Sequence, residues 1–200
     1  MYVTGVLQKP YQSRQTHSQL TQYWGIALKQ KEAIRSKLLL VKDRLEEIGI
    51  PWVVFAGAAA YCYGSEREIT DVDILVRCEE LEKARAALAG VDFHDFDLGC
   101  GAEIEVAQSV CPFFLDDEMM EKAEWKMLFG VKIPIISVED NIVFKAILQR
   151  GEDEGKFDIE DIKSMIDHTE VDLQYLKRRI QLSKAEKRVM PLLRALITNL

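Results

Sequence analysis

The sequence predicts an α/β (α+β) chain: a small mixed β-sheet flanked by helices, followed by a C-terminal helical part. Three observations carry this expectation. Short apolar runs such as "WVVFA" at 52–56 and "VDILV" at 72–76 have the length and β-branched content of strands. Ahead of them, Ile34, Leu38, Val41, Leu45 and Ile48 recur at spacings of four and three, the period of one helix face. From Ser137 onward the pattern changes to helices with start signals.

Taken in order, residues 1–30 are polar and glutamine-rich, with weak helical character around Leu20, Trp24 and Leu28, and read as an arm or a packed-on helix. Residues 31–136 form the α/β domain and 137–200 the helical region. The amphipathic helix ends at Gly49 and Pro51. After the first strand, Gly57 opens a short helix of small residues, "AAAYCY", closed by Gly64. In "DVDILV" the alternation of a strand puts Val72, Ile74 and Val76 on one face and Asp71, Asp73 and Leu75 on the other. A helix over Glu79 to Leu88 follows. "VDFHDFDL" and "AEIEVAQ" flank Gly99-Cys100-Gly101 and read as a hairpin, and "EWKMLFGVKIPII" reads as two strands turned at Gly130, with Pro134 pointing to an edge strand. Ser137-x-x-Asp140, Thr169-x-x-Asp172 and Ser183-x-x-Glu186 have capping-box spacing, and Pro191 is expected to kink or delay the last helix.

Composition bounds the function. The chain has 200 residues, 48% of them hydrophobic, enough for one full core and an appendage. Its apolar runs fall far short of the roughly 20 residues that span a bilayer, so no membrane partner is expected. The first residues lack the apolar centre of a secretory signal, and the expected location is the cytoplasm. A net charge of −7 argues against broad binding of nucleic acid, whose phosphates need clustered cations. The exception is the stretch from Val171 to Leu200, with seven basic residues against two acidic ones: a solvated helix face or a groove for an anionic substrate. Cys62, Cys78, Cys100 and Cys111 lack the close pairing of zinc sites and read as reduced thiols. His17, His94 and His168 are scattered, and none is given a catalytic role.

The candidate chemistry sits in "FAGAAAYCYGSEREITDVDILV", residues 55–76. Acid-x-acid triplets arise by chance in a chain with 33 acidic residues, and Asp95-x-Asp97, Glu103-x-Glu105 and Asp158-x-Glu160 are others. Asp71 and Asp73 differ in setting. They project from one face of a strand whose other face is apolar, roughly 7 Å apart between Cα atoms. Two carboxylates so placed repel each other, and a cation relieves that repulsion. Magnesium suits one or two such groups together with substrate phosphates. Upstream, Gly57 lets backbone N–H groups approach a phosphate. A third acid is sought on a neighbouring strand, and in "AEIEV" Glu105 is chosen over Glu103 because it lies deeper in the strand.

The order apolar strand, Gly57-Ala58, Ala60, Gly64, Arg67, Thr70, Asp71-x-Asp73, apolar strand resembles the signature of the DNA polymerase beta type nucleotidyltransferase superfamily. Within it, the chain looks like small prokaryotic nucleotidyltransferases related to the toxin halves of abortive-infection toxin–antitoxin pairs (AbiEii-like). A second stretch is similar to that group: an acidic helix start, Lys145 inside the helix, then Lys156, Asp158 and Asp161. Together these elements cover about residues 50–165. Ala58 stands where the family usually has Gly or Ser, and Glu105 where Asp is common.

The resemblance implies transfer of a nucleoside monophosphate from a nucleoside triphosphate, such as ATP, to an acceptor, with release of pyrophosphate. It implies two Mg2+ ions, with Asp71, Asp73 and Glu105 as metal-holding and catalytic residues. Gly57, Ala58, Arg67, Thr70 and Lys145 would bind the nucleotide. The acceptor stays open among a small molecule, a protein side chain and a tRNA end, and an antitoxin-like partner protein is part of the same resemblance. The competing reading is a catalytically inactive nucleotidyltransferase-like domain that binds a nucleotide or a partner.

Overall fold

The structure is a computed structural model and describes residues 17–91, 96–106 and 109–197. Helix α1 runs without a break over His17–Glu47. It passes through residue 30, the expected end of the N-terminal arm or packed-on helix; residues 1–16 lie outside the described residues. No proline falls within His17–Glu47, so the polar residues before position 30 continue the helix whose apolar face is anchored further on. Ile34, Leu38, Val41 and Leu45 of that face are fully buried. Gly49 takes φ +67°, and Ile50 N–H closes back on Leu45 O at 3.0 Å, which ends the helix and turns the chain into the sheet.

The main sheet has five strands in the order β3-β2-β1-β7-β6, formed by β1 (Trp52–Phe55), β2 (Val72–Val76), β3 (Phe96–Gly99), β6 (Glu124–Leu128) and β7 (Val131–Ile135). Pairing is antiparallel for β1–β2 and β6–β7 and parallel for β2–β3 and β1–β7, so the sheet is mixed, as expected. The two strands turned at Gly130 are β6 and β7. A separate ribbon is made by β4 (Gly101–Val106) and β5 (Ser109–Phe114).

Two strand expectations are corrected. Gly99-Cys100-Gly101 does not turn a hairpin: β3 joins β2 in the main sheet, and β4 leaves to pair with β5. Parallel pairing lets Phe96 and Leu98 bury their side chains. Gly101, at φ +106°, redirects the chain where a Cβ would stand 2.0 Å from Phe113 O. Pro134 is not on an edge strand either, because β7 lies between β1 and β6. The β1–β7 ladder is short, with Val54 opposite Ile135 and Ile136 N–H donating to Val54 O at 2.9 Å. Pro134 precedes that contact by two residues, so its missing N–H falls where the ladder has ended.

Short helices connect the strands: α2 (Ala56–Cys62), α3 (Leu81–Ala87) and α4 (Asp117–Lys122). The C-terminal part is helical throughout, with α5 (Val138–Leu148), α6 (Asp158–His168), α7 (Leu173–Leu182) and α8 (Glu186–Leu196), which contains Pro191. Helix α5 is buried along nearly its whole length, with Ile142, Ala146 and Ile147 fully covered. Ser137 caps it as expected, accepting from Asp140 N–H at 3.1 Å. The other two caps differ. Asp172, rather than Thr169, caps α7 through Gln174 and Tyr175 N–H, both at 3.0 Å. Ser183 closes α7, its hydroxyl donating to Ile180 O, instead of opening α8. Among the described residues no helix is long and apolar enough to cross a membrane.

The reduced-thiol expectation fails for one pair. Cys78 and Cys100 form a disulfide, with Cα atoms 4.8 Å apart across 22 positions, joining the end of β2 to the end of β3. Cys62 and Cys111 are free. Reduction of the bridge, or Cys100→Ser, is expected to lower unfolding free energy by about 3 kcal/mol, the loop-closure value for a span of this length. Urea unfolding with and without a phosphine reductant reads it, and the reductant should not move the Cys100→Ser midpoint.

Candidate active site

The register of three adjacent strands builds the candidate site. Phe55 on β1 faces Asp73 on β2, and Asp73 faces Asp97 on β3. Residues opposite one another in a ladder share a face, so the three side chains form one row across the sheet. Asp71 lies two positions before Asp73 and shares its face. On the other face Val72, Ile74 and Val76 are fully buried and fix the register, because a slip of one residue would drive the aspartates into the core.

Burial first, and then the negative charges of Asp71 and Asp97, raise the Asp73 pKa to about 6; Lys156 and Lys145 oppose the shift. Glu105 is not among these charges. It stands exposed on β4 opposite Val110, in the separate ribbon. The acid that the strand pairing brings to the aspartate pair is Asp97, which the sequence offered only as one of several chance triplets. A signal was there: in "DFDL" the alternation puts Asp97 opposite in face to the buried Phe96 and Leu98, as in "DVDIL".

The turn from β1 into α2 is strained and clamped. Ala56 sits at φ +56°, a left-handed conformation unfavourable for a side-chain-bearing residue. The buried Asn141 amide holds it from α5: Ala56 N–H donates to Asn141 Oδ1 at 2.8 Å, and Asn141 Nδ2 donates to Ala56 O at 3.1 Å. Gly57 follows, and the Arg67 guanidinium covers it so closely that a Cβ would lie 3.2 Å from Nη2. Ala58 is fully buried, so its side chain faces the core rather than the turn's open side. Thr70 is exposed, and its hydroxyl donates to Asp71 Oδ1 at 3.3 Å.

Lys145 is 2% exposed and lies inside a charge cluster. Its Nζ stands 2.7 Å from Asp161 and 3.1 Å from Asp158. Asp161 also receives Ser65 Oγ at 2.8 Å and Arg67 Nη2 at 3.2 Å. Asp158 accepts from Arg150 N and Nε, both at 3.0 Å. Burial pushes the Asp158 carboxyl up, but the Arg150 hydrogen bond and the Lys145 charge outweigh it and hold the carboxyl below its ordinary range. The Lys-x-Asp-x-x-Asp segment thus has a physical meaning: a spacing of three places both acids on one face of α6, towards Lys145 on α5. Beside this cluster, Arg67, Phe157, Asp161 and His168 line a cleft of about 620 Å3, and Arg67 lies over the Phe157 ring at 5.5 Å.

The basic stretch at the C-terminal end is partly consumed inside the fold. Arg179 is buried and pairs with Asp140 at 2.6 Å and Asp116 at 2.7 Å. Arg178 pairs with Glu118, and Arg188 donates to the backbone oxygens of Ile147 and Leu148. Among the described residues, no group of three or more His, Cys, Asp or Glu side chains is close enough to form a ready-made metal cage. The carboxylates in the row are nonetheless hard oxygen donors under mutual repulsion. That donor chemistry fits an ion that keeps waters and shares substrate phosphates.

A family model described as a nucleotidyl transferase of unknown function (DUF2204) matches residues 88–195, more than half of the chain. The chain belongs to that nucleotidyl transferase family. The match takes in Asp97, Glu105 and Lys145 and begins downstream of Asp73. Among solved structures, the antibiotic-resistance factor ANT(2'')-Ia, crystallised with adenylyl-2''-tobramycin, aligns at TM-score 0.50 and 11% identity, over 75% of this chain and 96% of its own. Its solution structure aligns at 0.49 and 13%, over 82% and 91%. An antigenic nucleotidyltransferase-like protein from Paracoccidioides brasiliensis gives 0.44 and 15%, over 86% and 98%. At such identities the likeness is one of fold, and the fold is that of the nucleotidyltransferases. No curated protein matches this chain in sequence.

Two stability predictions follow from the charges of this nucleotidyl transferase. A carboxyl whose pKa rises on folding binds its proton more tightly in the native state, so stability falls as pH climbs from the ordinary carboxylate range to about 6 and is level above that. Asp73→Asn should therefore stabilise the metal-free protein at neutral pH, by at most about 3 kcal/mol, and give no gain near pH ~4. Urea midpoints at the two pH values check it. Lys145→Met leaves Asp158 and Asp161 short of a buried cation and should cost about 3 kcal/mol in the same assay.

Proposed function

We propose that the chain moves a nucleoside monophosphate from a nucleoside triphosphate to an acceptor hydroxyl, releasing pyrophosphate, and that the reaction depends on magnesium. The observation that carries this reading is the row of Asp73 and Asp97 with Asp71 beside it, from two parallel strands, next to a glycine turn covered by an arginine. Asp71 and Asp73 would hold the ion. Magnesium, when bound, supplies positive charge to the triphosphate and to the leaving pyrophosphate. Asp97 takes the third-acid role first given to Glu105, and accepts the proton of the acceptor hydroxyl.

The Gly57 backbone and the Arg67 guanidinium receive the triphosphate, and Arg67 offsets the charge that spreads over the transferred phosphoryl group. Ala58 contributes through its backbone alone, and Thr70 by orienting Asp71. Lys145 acts at one remove, holding the Asp161 carboxylate that aims Arg67. Residues 31–136 supply the acids in this reading, and 137–200 supply the wall that holds the turn and the arginine. The likeness to abortive-infection toxins adds an antitoxin-like partner to the proposal, resting on the Gly57 to Asp73 motif.

The test is a titration of magnesium with ATP and the other triphosphates, paired with a pyrophosphate-release assay. Asp97→Asn should lower release by about 100-fold or more, while Glu105→Gln leaves it unchanged. Asp73→Asn should remove magnesium-dependent ATP binding. Binding with no release across varied acceptors would favour the inactive, nucleotide-binding domain instead, and equal losses in Asp97→Asn and Glu105→Gln would overturn the choice of third acid.

A further inference from the structure

Between the carboxylate row and the β4–β5 ribbon lies a second cavity, of about 200 Å3. Its floor is the sheet face that carries Asp73: Phe55, Leu75, Asp97 and Gly99 line it, and the strand registers put these four on that face. Phe113 of β5 and Phe144 of α5 close it from above. The three rings form one cluster, with centroids 5.0 Å apart for Phe55 and Phe144, 4.9 Å for Phe113 and Phe144, and 6.4 Å for Phe55 and Phe113. Asp97 is the one ionisable side chain in its described lining.

Size and lining decide the occupant. An apolar cavity of roughly 150 Å3 takes up benzene, whereas drug-sized ligands occupy roughly 300 Å3 or more. A space of about 200 Å3 therefore fits one ring with a small substituent. A polycationic sugar would meet aromatic walls and a single counter-charge, leaving its other charges desolvated and unpaired. The cleft beside Arg67 and Phe157 shares no lining residue with this cavity, so the two are separate spaces, and of the three aspartates only Asp97 lines either one.

We propose that this cavity is the acceptor site and that it takes a neutral, single-ring hydroxyl compound of the phenol class. The inference rests on the nucleotidyl-transfer reading above. The ring lies against the wall that Phe55, Phe113 and Phe144 form, and its hydroxyl points to Asp97. The hydroxyl oxygen bonds to the α-phosphorus of the triphosphate. The bond from that phosphorus to the bridging oxygen breaks, and its electron pair leaves with pyrophosphate. The hydroxyl proton passes to Asp97 and then to water. No oxidant or reductant is involved.

Gly99→Val fills the cavity without deleting a core side chain. Gly99 is outside the left-handed region, and a Cβ there meets nothing closer than Gly101 N at 3.8 Å. Fluorine-19 NMR titration of 4-fluorophenol into the full chain reads binding directly. The wild type should show a saturable shift, weakened about tenfold or more in Gly99→Val and in Ile104→Trp, at a β4 residue of the same lining, with thermal midpoints and ATP affinity held. In the pyrophosphate assay, 4-fluorophenol should stimulate release and an aminoglycoside should not. A wild type with no saturable shift, equal binding by folded variants, or release driven only by polar acceptors would overturn the acceptor class while leaving nucleotidyl transfer standing. Displacement of 4-fluorophenol by ATP would put the nucleobase in the cavity and overturn the assignment too. Absence of magnesium-dependent ATP binding is read in a separate titration and removes the underlying reading together with the inference.

Discussion

The buried ammonium of Lys145 organises the helical half of this protein around the sheet. A lone charge so fully covered would be prohibitively costly, and here two carboxylates one helical turn apart on α6 answer it. That pairing fixes how α6 meets α5. It also sets where Asp161 stands, and through Asp161 where Ser65 and Arg67 stand over the turn at Gly57. The second partner, Asp158, reaches Arg150 and ties down the segment between the two helices. One interaction between helices thereby positions a loop that belongs, in sequence, to the sheet.

On the sheet the logic is reversed. The pairing that stabilises β2 and β3 brings Asp73 and Asp97 face to face, and nothing nearby neutralises them fully; the Lys156 and Lys145 charges lower the strain without removing it. The next rung on the same face pairs Leu75 with Gly99 and carries no charge, while Ile74 and Leu98 pair on the buried face. The doubly acidic rung is the place on this face where repulsion is left standing, which is why the proposed ion is put there.

Much of this was legible from local patterns and some was not. The alternation in "DVDILV" gave the aspartates their common face because side-chain direction in a strand depends only on parity. The long helix from Ile34 was legible from its period, and the Ser137 cap from its spacing. The acid that stands beside the aspartate pair was not, because its identity is a matter of which strands pair. Phe96–Gly99 and Gly101–Val106 both alternate acid with apolar residue, and only the parallel pairing with β2 selects Asp97 over Glu105. Pro134 misled for a related reason: its rule concerns hydrogen-bond donors, and the neighbouring ladder is too short to need one there. Lys145, Asp158 and Asp161 stood together in the sequence only through a family resemblance; that the lysine touches both acids, 13 and 16 positions on, appears only when α6 folds back on α5. The disulfide likewise joins thiols whose proximity depends on the same parallel pair.

Asn141 reaches back across 85 positions to hold both backbone groups of Ala56. During synthesis, then, the first strand and its acidic neighbour emerge long before the amide that shapes the bend between β1 and α2. A ribosome-bound fragment ending before α5 has every residue of the glycine turn but lacks the two Asn141 hydrogen bonds that hold Ala56 left-handed. The clamp on this bend is thus a contact between segments distant in the chain, completed only once α5 has been made.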